Sequence, residues 1–391
     1  MKANQNRNII RMQKVPVVLV VLWMCLSVCS VCAEEVTDWD EVYQEQLEAS
    51  GAQNLPDALP EETRDLLEQW GSGSVQPDAV FSLTPEEVLR SLAELTEAEI
   101  RGPLRAVLTV TGLLILCAVL QGAGGISGES EIMRIFRMVS TAAMALLLLQ
   151  SIRNLLVDAS EILQAVPVFL AVFVPVYAGI VTAAGQPVSA GAYSALTVAA
   201  AEGLSVLFGT VLLPILRLYL ALGAVFAATR QSVVAGVGTW LQKTVRWLLG
   251  LSMSLFISIL ALQSAVGSAA DSLSVKAFKF VVSSTVPVVG GALNEALNSV
   301  RGCLSLLKSS VGAFGILAGA AIFLPVLIRV ILWNLSLGIC AVIGDLLEQK
   351  ELAEFLRAVS AVLGMLSALL LCAAVFLILS TGILMAAKTG G

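Results

Sequence analysis

Residues 358–380 read AVSAVLGMLSALLLCAAVFLILS, and no charge interrupts the chain between Arg357 and Lys388. A helix needs about 20 apolar residues to cross the hydrocarbon of a bilayer. This run is long enough, and in lipid it must be helical, because no water is there to satisfy its backbone. Further apolar runs precede it at residues 311–329, 247–266, 215–229, 191–213, 166–184, 135–152 and 105–121. The pair 191–213 and 215–229, divided by Pro214, reads as two spans or one broken unit. Residues 331–344 are short for a span and read as a half-helix or a re-entrant piece. The expected fold is an all-α polytopic membrane protein with seven or eight transmembrane helices.

Composition agrees with this reading. The chain is 57% hydrophobic and 13% charged, with a mean hydropathy of +0.88. A soluble domain carries about 25% charged residues, so this chain cannot cover a soluble surface. The charge is also unevenly spread. Residues 34–103 hold 18 Asp and Glu against 3 Arg, whereas residues 104–391 hold 11 against 16 Lys and Arg. The acidity therefore belongs to one short segment, and no stretch has the basic footprint of nucleic-acid binding.

The front of the chain has the layout of a secretory signal peptide. Lys2, Arg7, Arg11 and Lys14 precede an apolar stretch at 15–31, and Val31-Cys32-Ala33 offers small side chains before Glu34. Cleavage is expected between Ala33 and Glu34; a retained anchor is the alternative. Either way, residues after Ala33 leave the cytoplasm. Residues 1–33 are thus read as leader, 34–103 as an acidic extracytoplasmic segment, and 104–391 as a multi-span domain.

The acidic segment carries helix signals. Pro60 with Glu61-Glu62 suits a first turn, Leu66, Leu67 and Trp70 form an apolar stripe, and Gly71-Ser72-Gly73-Ser74 breaks it. Thr84, Pro85 and Glu87 form a capping box with proline at the first helical position. Val88, Leu89, Leu92 and Leu95 then recur at helical spacing. So few apolar positions bury little core, and these short helices are expected to rest on a partner or on the membrane face.

With residue 34 outside, Arg134 and Arg137 fall at a cytoplasmic turn, as do Arg230, Lys243 and Arg246, in keeping with the positive-inside rule. Residues 267–310 then fall outside. Glu202 is the one acid well inside an apolar run, and an intramembrane carboxylate is a candidate functional residue, with Arg217 as a possible partner. Pro167, Pro175, Pro214 and Pro325 interrupt apolar runs. Gly315 and Gly319 form a GxxxG pair, which lets helices approach closely.

Residues 267–310 are too polar to span and too apolar for a plain loop. Residues 272–282 and 294–307 read as two amphipathic interfacial helices around Pro287-Val288-Val289-Gly290. This stretch resembles the stage III sporulation protein AE family. The resemblance is carried by Lys276, Lys279-Phe280, Pro287 to Gly290, Glu295-Ala296, Val300, Leu306, Lys308, Val311-Gly312 and Gly315, without a gap. It implies a membrane subunit of a complex linking mother cell and forespore during sporulation, seated in the mother-cell membrane that surrounds the forespore. It also implies partners from the same operon, including ring-forming subunits and a secretion-type ATPase.

Several chemistries lack their residues. The chain has no histidine, which removes the usual general base and zinc ligand. Cys117, Cys303, Cys340 and Cys372 are scattered singly, with no metal spacing. Gly344-Asp345 follows Val342-Ile343 and so lacks the first glycine of a membrane aspartyl protease motif. No HExxH or GxxxxGK[ST] occurs. A non-enzymatic protein without a cofactor is expected. A secondary transporter and a scaffold for ring proteins stay open beside the channel-subunit reading.

Overall fold

The computed structural model describes residues 40–123, 131–229, 237–262 and 290–386. The leader with Ala33 and Glu34, and also Lys276, Lys279, Phe280 and Pro287, lie outside the described residues.

Three short helices open the fold: α1 (Asp40–Ser50), α2 (Glu61–Gln69) and α3 (Pro77–Phe81). Long helices follow: α4 (Pro85–Ala123), α5 (Glu131–Ala183), α6 (Pro187–Val206), α7 (Leu213–Thr229), α8 (Val237–Leu262), α9 (Gly290–Leu346) and α10 (Lys350–Ala386). A π-helical turn, Leu207–Leu212, joins α6 to α7 without a break. Pro214 explains it: its ring clashes with the carbonyl four residues earlier, and a wider turn relieves the clash. No strand occurs among the described residues.

The chain is an all-α polytopic membrane protein, with 6 helices long and apolar enough to cross a membrane among the described residues. The apolar runs of the sequence merge. Runs 135–152 and 166–184 lie in the single helix α5, and runs 191–213 and 215–229 form one continuous helix. Residues 331–344 are neither a half-helix nor re-entrant; they continue α9, as does the expected interfacial helix at 294–307. Proline does not end these helices: Pro103, Pro167, Pro175 and Pro325 all lie inside them.

Tight hairpins set the order of the bundle. Gly185, at φ 90°, closes α5, with Gln186 N–H donating to the Val181 carbonyl at 3.1 Å. This αL stop needs no Cβ, and Pro187 then starts α6. Glu348, at φ 59°, plays the same part between α9 and α10, with Gln349 N–H on the Gly344 carbonyl at 2.8 Å. The α9–α10 hairpin is the spine, and α4, α5 and α7 pack on it. From residue 311 to 319 every α9 position is buried.

The acidic segment rests on this spine. Helices α1, α2 and α3 each pack against α9, burying Tyr43, Leu47, Leu66, Leu67, Trp70 and Val80. Trp70 Nε1 donates to Ser91 Oγ at 2.7 Å, tying α2 to α4. The segment sits at the end of the bundle that also holds the α5–α6 turn, here the upper end. The α9–α10 turn marks the lower end.

Candidate functional site

The upper end gathers several of the residues singled out from sequence. On α9, Lys308 is 2% exposed, and its Nζ donates to Gln186 Oε1 in the α5–α6 turn at 3.2 Å. Two residues on, Ser310 Oγ shares a 2.7 Å hydrogen bond with Tyr43 Oη of α1, and Tyr43 also donates to the Val75 carbonyl at 3.3 Å. Burial pushes the Tyr43 phenol up to about 12. Gly312 is buried one turn further. At Gly315 an added Cβ would lie 2.7 Å from the Phe173 ring of α5 and 2.8 Å from Thr381 Cβ of α10. At Gly319 it would lie 3.2 Å from Leu377. The GxxxG pair thus packs α9 against α10 within one chain.

An aromatic ladder lines the same end. Phe169, Phe173 and Tyr177 follow one face of α5 with ring centroids 5.4 and 5.3 Å apart. Tyr177 meets Tyr193 of α6 edge-on at 5.8 Å. Among the described residues, the hydroxyls of Tyr177 and Ser380 are buried without a protein hydrogen-bond partner. Such groups are costly to bury, so this interior is more polar than packing alone requires.

Midway down the bundle lies a constellation that sequence reading missed. Arg329 of α9 donates from Nε and Nη2 to Glu99 of α4 at 2.7 and 2.6 Å, and from Nη1 to Asp158 of α5 at 2.6 Å. The three side chains are 32%, 23% and 30% exposed. The fork on Glu99 is the strong bidentate geometry of guanidinium and carboxylate. In sequence, Arg329 closes an apolar run and reads as its boundary. The signal was present: a cation between two apolar runs needs an acid on another helix, and Asp158 stands in the same position on α5.

At the lower end, Gln121 of α4 and Gln349 exchange amide hydrogen bonds at 2.7 and 3.1 Å. Arg357 of α10 holds Asp345 at 2.7 Å. A cavity of about 590 Å³ opens there, lined by Gln121, Ser140, Asp345, Glu348, Gln349 and Lys350.

Other sequence candidates are not brought together. Glu202 is exposed on α6. Arg217 lies about 15 residues along the same continuous helix, roughly 22 Å at helical rise, so the two do not pair. Gly290 begins α9, and Glu295 lies in its second turn.

Comparisons with known proteins agree with this architecture. The family model described as stage III sporulation protein AE matches residues 76–388. A relative named stage III sporulation protein AE, from Bacillus subtilis (strain 168), is 22% identical over 293 residues, covering 73% of each chain. No solved structure matches.

Proposed function

The chain belongs to the stage III sporulation protein AE family, and on that footing we propose that it is a non-enzymatic membrane subunit of the trans-envelope complex linking mother cell and forespore. The family match over residues 76–388 carries this reading, because it spans nearly all of the membrane bundle. Two structural features support it. The acidic segment is clamped to the spine by Tyr43, Ser310 and the α2–α4 contact, so it presents a fixed negative surface rather than a loose tail. Lys308, Gly312 and Gly315 pack at the same end.

In this reading the leader carries the acidic segment out of the mother cell, into the space between the two membranes. The bundle sits in the mother-cell membrane around the forespore. Its partners are the ring-forming subunits and the secretion-type ATPase of the same operon. The ring proteins would meet the upper end, and the ATPase the lower end, where the α9–α10 turn and its polar cavity lie.

Affinity capture of the full chain from sporulating cells in mild detergent tests this. The other operon proteins should co-purify, and charge reversal on the acidic segment should release the ring proteins first. Capture of the chain alone, under conditions that keep it folded, would count against a shared complex.

A further inference from the structure

Helix α6 turns its polar side chains inward. Its buried face begins with Gln186, just ahead of the helix, and continues with Ser189, Tyr193 and Thr197. The steps of three and four residues align these side chains on one face. The opposite face exposes Val188, Val198 and Val206. Two other helices add polar groups to the same interior. Tyr177 of α5 meets Tyr193 edge-on, and its buried hydroxyl has no protein hydrogen-bond partner among the described residues. Lys308 of α9 reaches Gln186 at 3.2 Å.

These groups form a polar column between α5, α6 and α9. From Gln186 to Thr197 it is roughly 17 Å deep at helical rise. Below Thr197 the same face of α6 becomes apolar, at Ala201 and then Phe208, so the column has a floor. Polar groups cost free energy to bury. Ionisable side chains inside a membrane bundle face its interior or a water-filled cavity, and they mark pathways. Lys308 is such a side chain.

The acidic segment covers the upper mouth of this column. Lys308 and Ser310 share one turn of α9, and Ser310 holds Tyr43 of α1 at 2.7 Å. Helix α1 and the two short helical turns after it, Ala52–Asn54 and Pro56–Ala58, pack against α5 as well. At the mouth, Lys308 and Gln186 are buried. The segment passes into α4 through Ser82-Leu83-Thr84 alone, a connection short enough to act as a hinge without unwinding α4. Tyr43 on Ser310 and Trp70 on Ser91 tie it down, with Leu47 buried beside Tyr43.

We propose that the acidic segment is a lid. Seated on α5 and α9, it closes the mouth of the polar column, which water and small polar solutes enter when the lid lifts. The lid belongs to the chain itself, so it is testable without the partners of the proposed complex.

The full chain in lipid nanodiscs, treated with a small water-soluble thiol reagent, supplies the test, with labelling of the chain lacking an added cysteine subtracted. T197C places a thiol on the column wall, and A201C places one at its floor. With the lid seated, both should react slowly. Y43A/L47E removes the hold on Ser310 and puts a charge in the apolar seat. Hydrogen exchange should then show α1 released, and T197C should react more than about tenfold faster while A201C stays unchanged. Y43F, which keeps the ring in its seat, should give a smaller increase. A T197C thiol that stays slow after α1 is released, or reacts freely with the lid seated, would overturn the proposal. Equal acceleration of T197C and A201C would also overturn it, since that is loosening of the whole bundle. Full protection of α1 in Y43A/L47E would overturn the hold assigned to those side chains.

Discussion

Arg329, Gly315 and Tyr43 each hold several elements together, and each has a measurable consequence. Arg329 binds two carboxylates at once, so R329M leaves both Glu99 and Asp158 without their cation. The group is partly exposed, which screens the loss; about 1–3 kcal/mol is expected in detergent unfolding, with R329K recovering only part because it lacks the fork. Gly315 has no room for a methyl group, so G315A should cost about 1–3 kcal/mol by overpacking. G338A has nothing within 4 Å of the new atom and should be neutral or slightly stabilising, since alanine favours a helix. Equal melting of the two variants would contradict the packing. The Tyr43 phenol, at about 12 in the folded chain, ionises near 10 when exposed. The neutral form is therefore favoured by folding. The docking it supports is fully present below pH 10 and is lost as pH rises through about 12. Hydrogen exchange of α1 across that window should show release, and Y43F should flatten the response.

Among the elements, the start of α4 was the most legible from sequence. Thr84 N–H meets Glu87 Oε2 at 3.1 Å and Glu87 N–H meets Thr84 Oγ1 at 3.3 Å, the reciprocal pair that the Thr-x-x-Glu spacing predicts. T84A should cost about 1 kcal/mol and speed proteolysis near residues 82–88 without loosening α2, which Trp70 and Ser91 secure. The Gly71–Ser74 break and the apolar stripe of α2 were also plain, because local chemistry sets both. Helix continuity was not. A window of sequence reads Asp158, Pro167 and Arg329 as interruptions, since each is unfavourable alone in an apolar helix. For Asp158 and Arg329 what removes the penalty is their pairing across helices, and no local pattern displays it. The Gly315–Gly319 spacing signals close packing, which the structure shows, but the partner, α10, is set by the three-dimensional fold.

For the molecule as a whole, length and hydropathy were enough to indicate an all-α polytopic protein, and one gap-free stretch was enough to suggest the family. The arrangement of the acidic segment was harder to foresee. Its few apolar residues are too sparse for a core of their own, yet they complete one by packing on α9, so the segment and the bundle share a single hydrophobic interior. That sharing gives the proposed complex a rigid upper face. The central claim is that the chain works from the mother-cell side of the forespore envelope, and cell-specific expression tests it most directly. In a strain lacking the gene, heat-resistant spores should be restored when the chain is made only in the mother cell after engulfment begins, and not when it is made only in the forespore. Restoration from the forespore alone, or normal spore numbers without the gene, would contradict it.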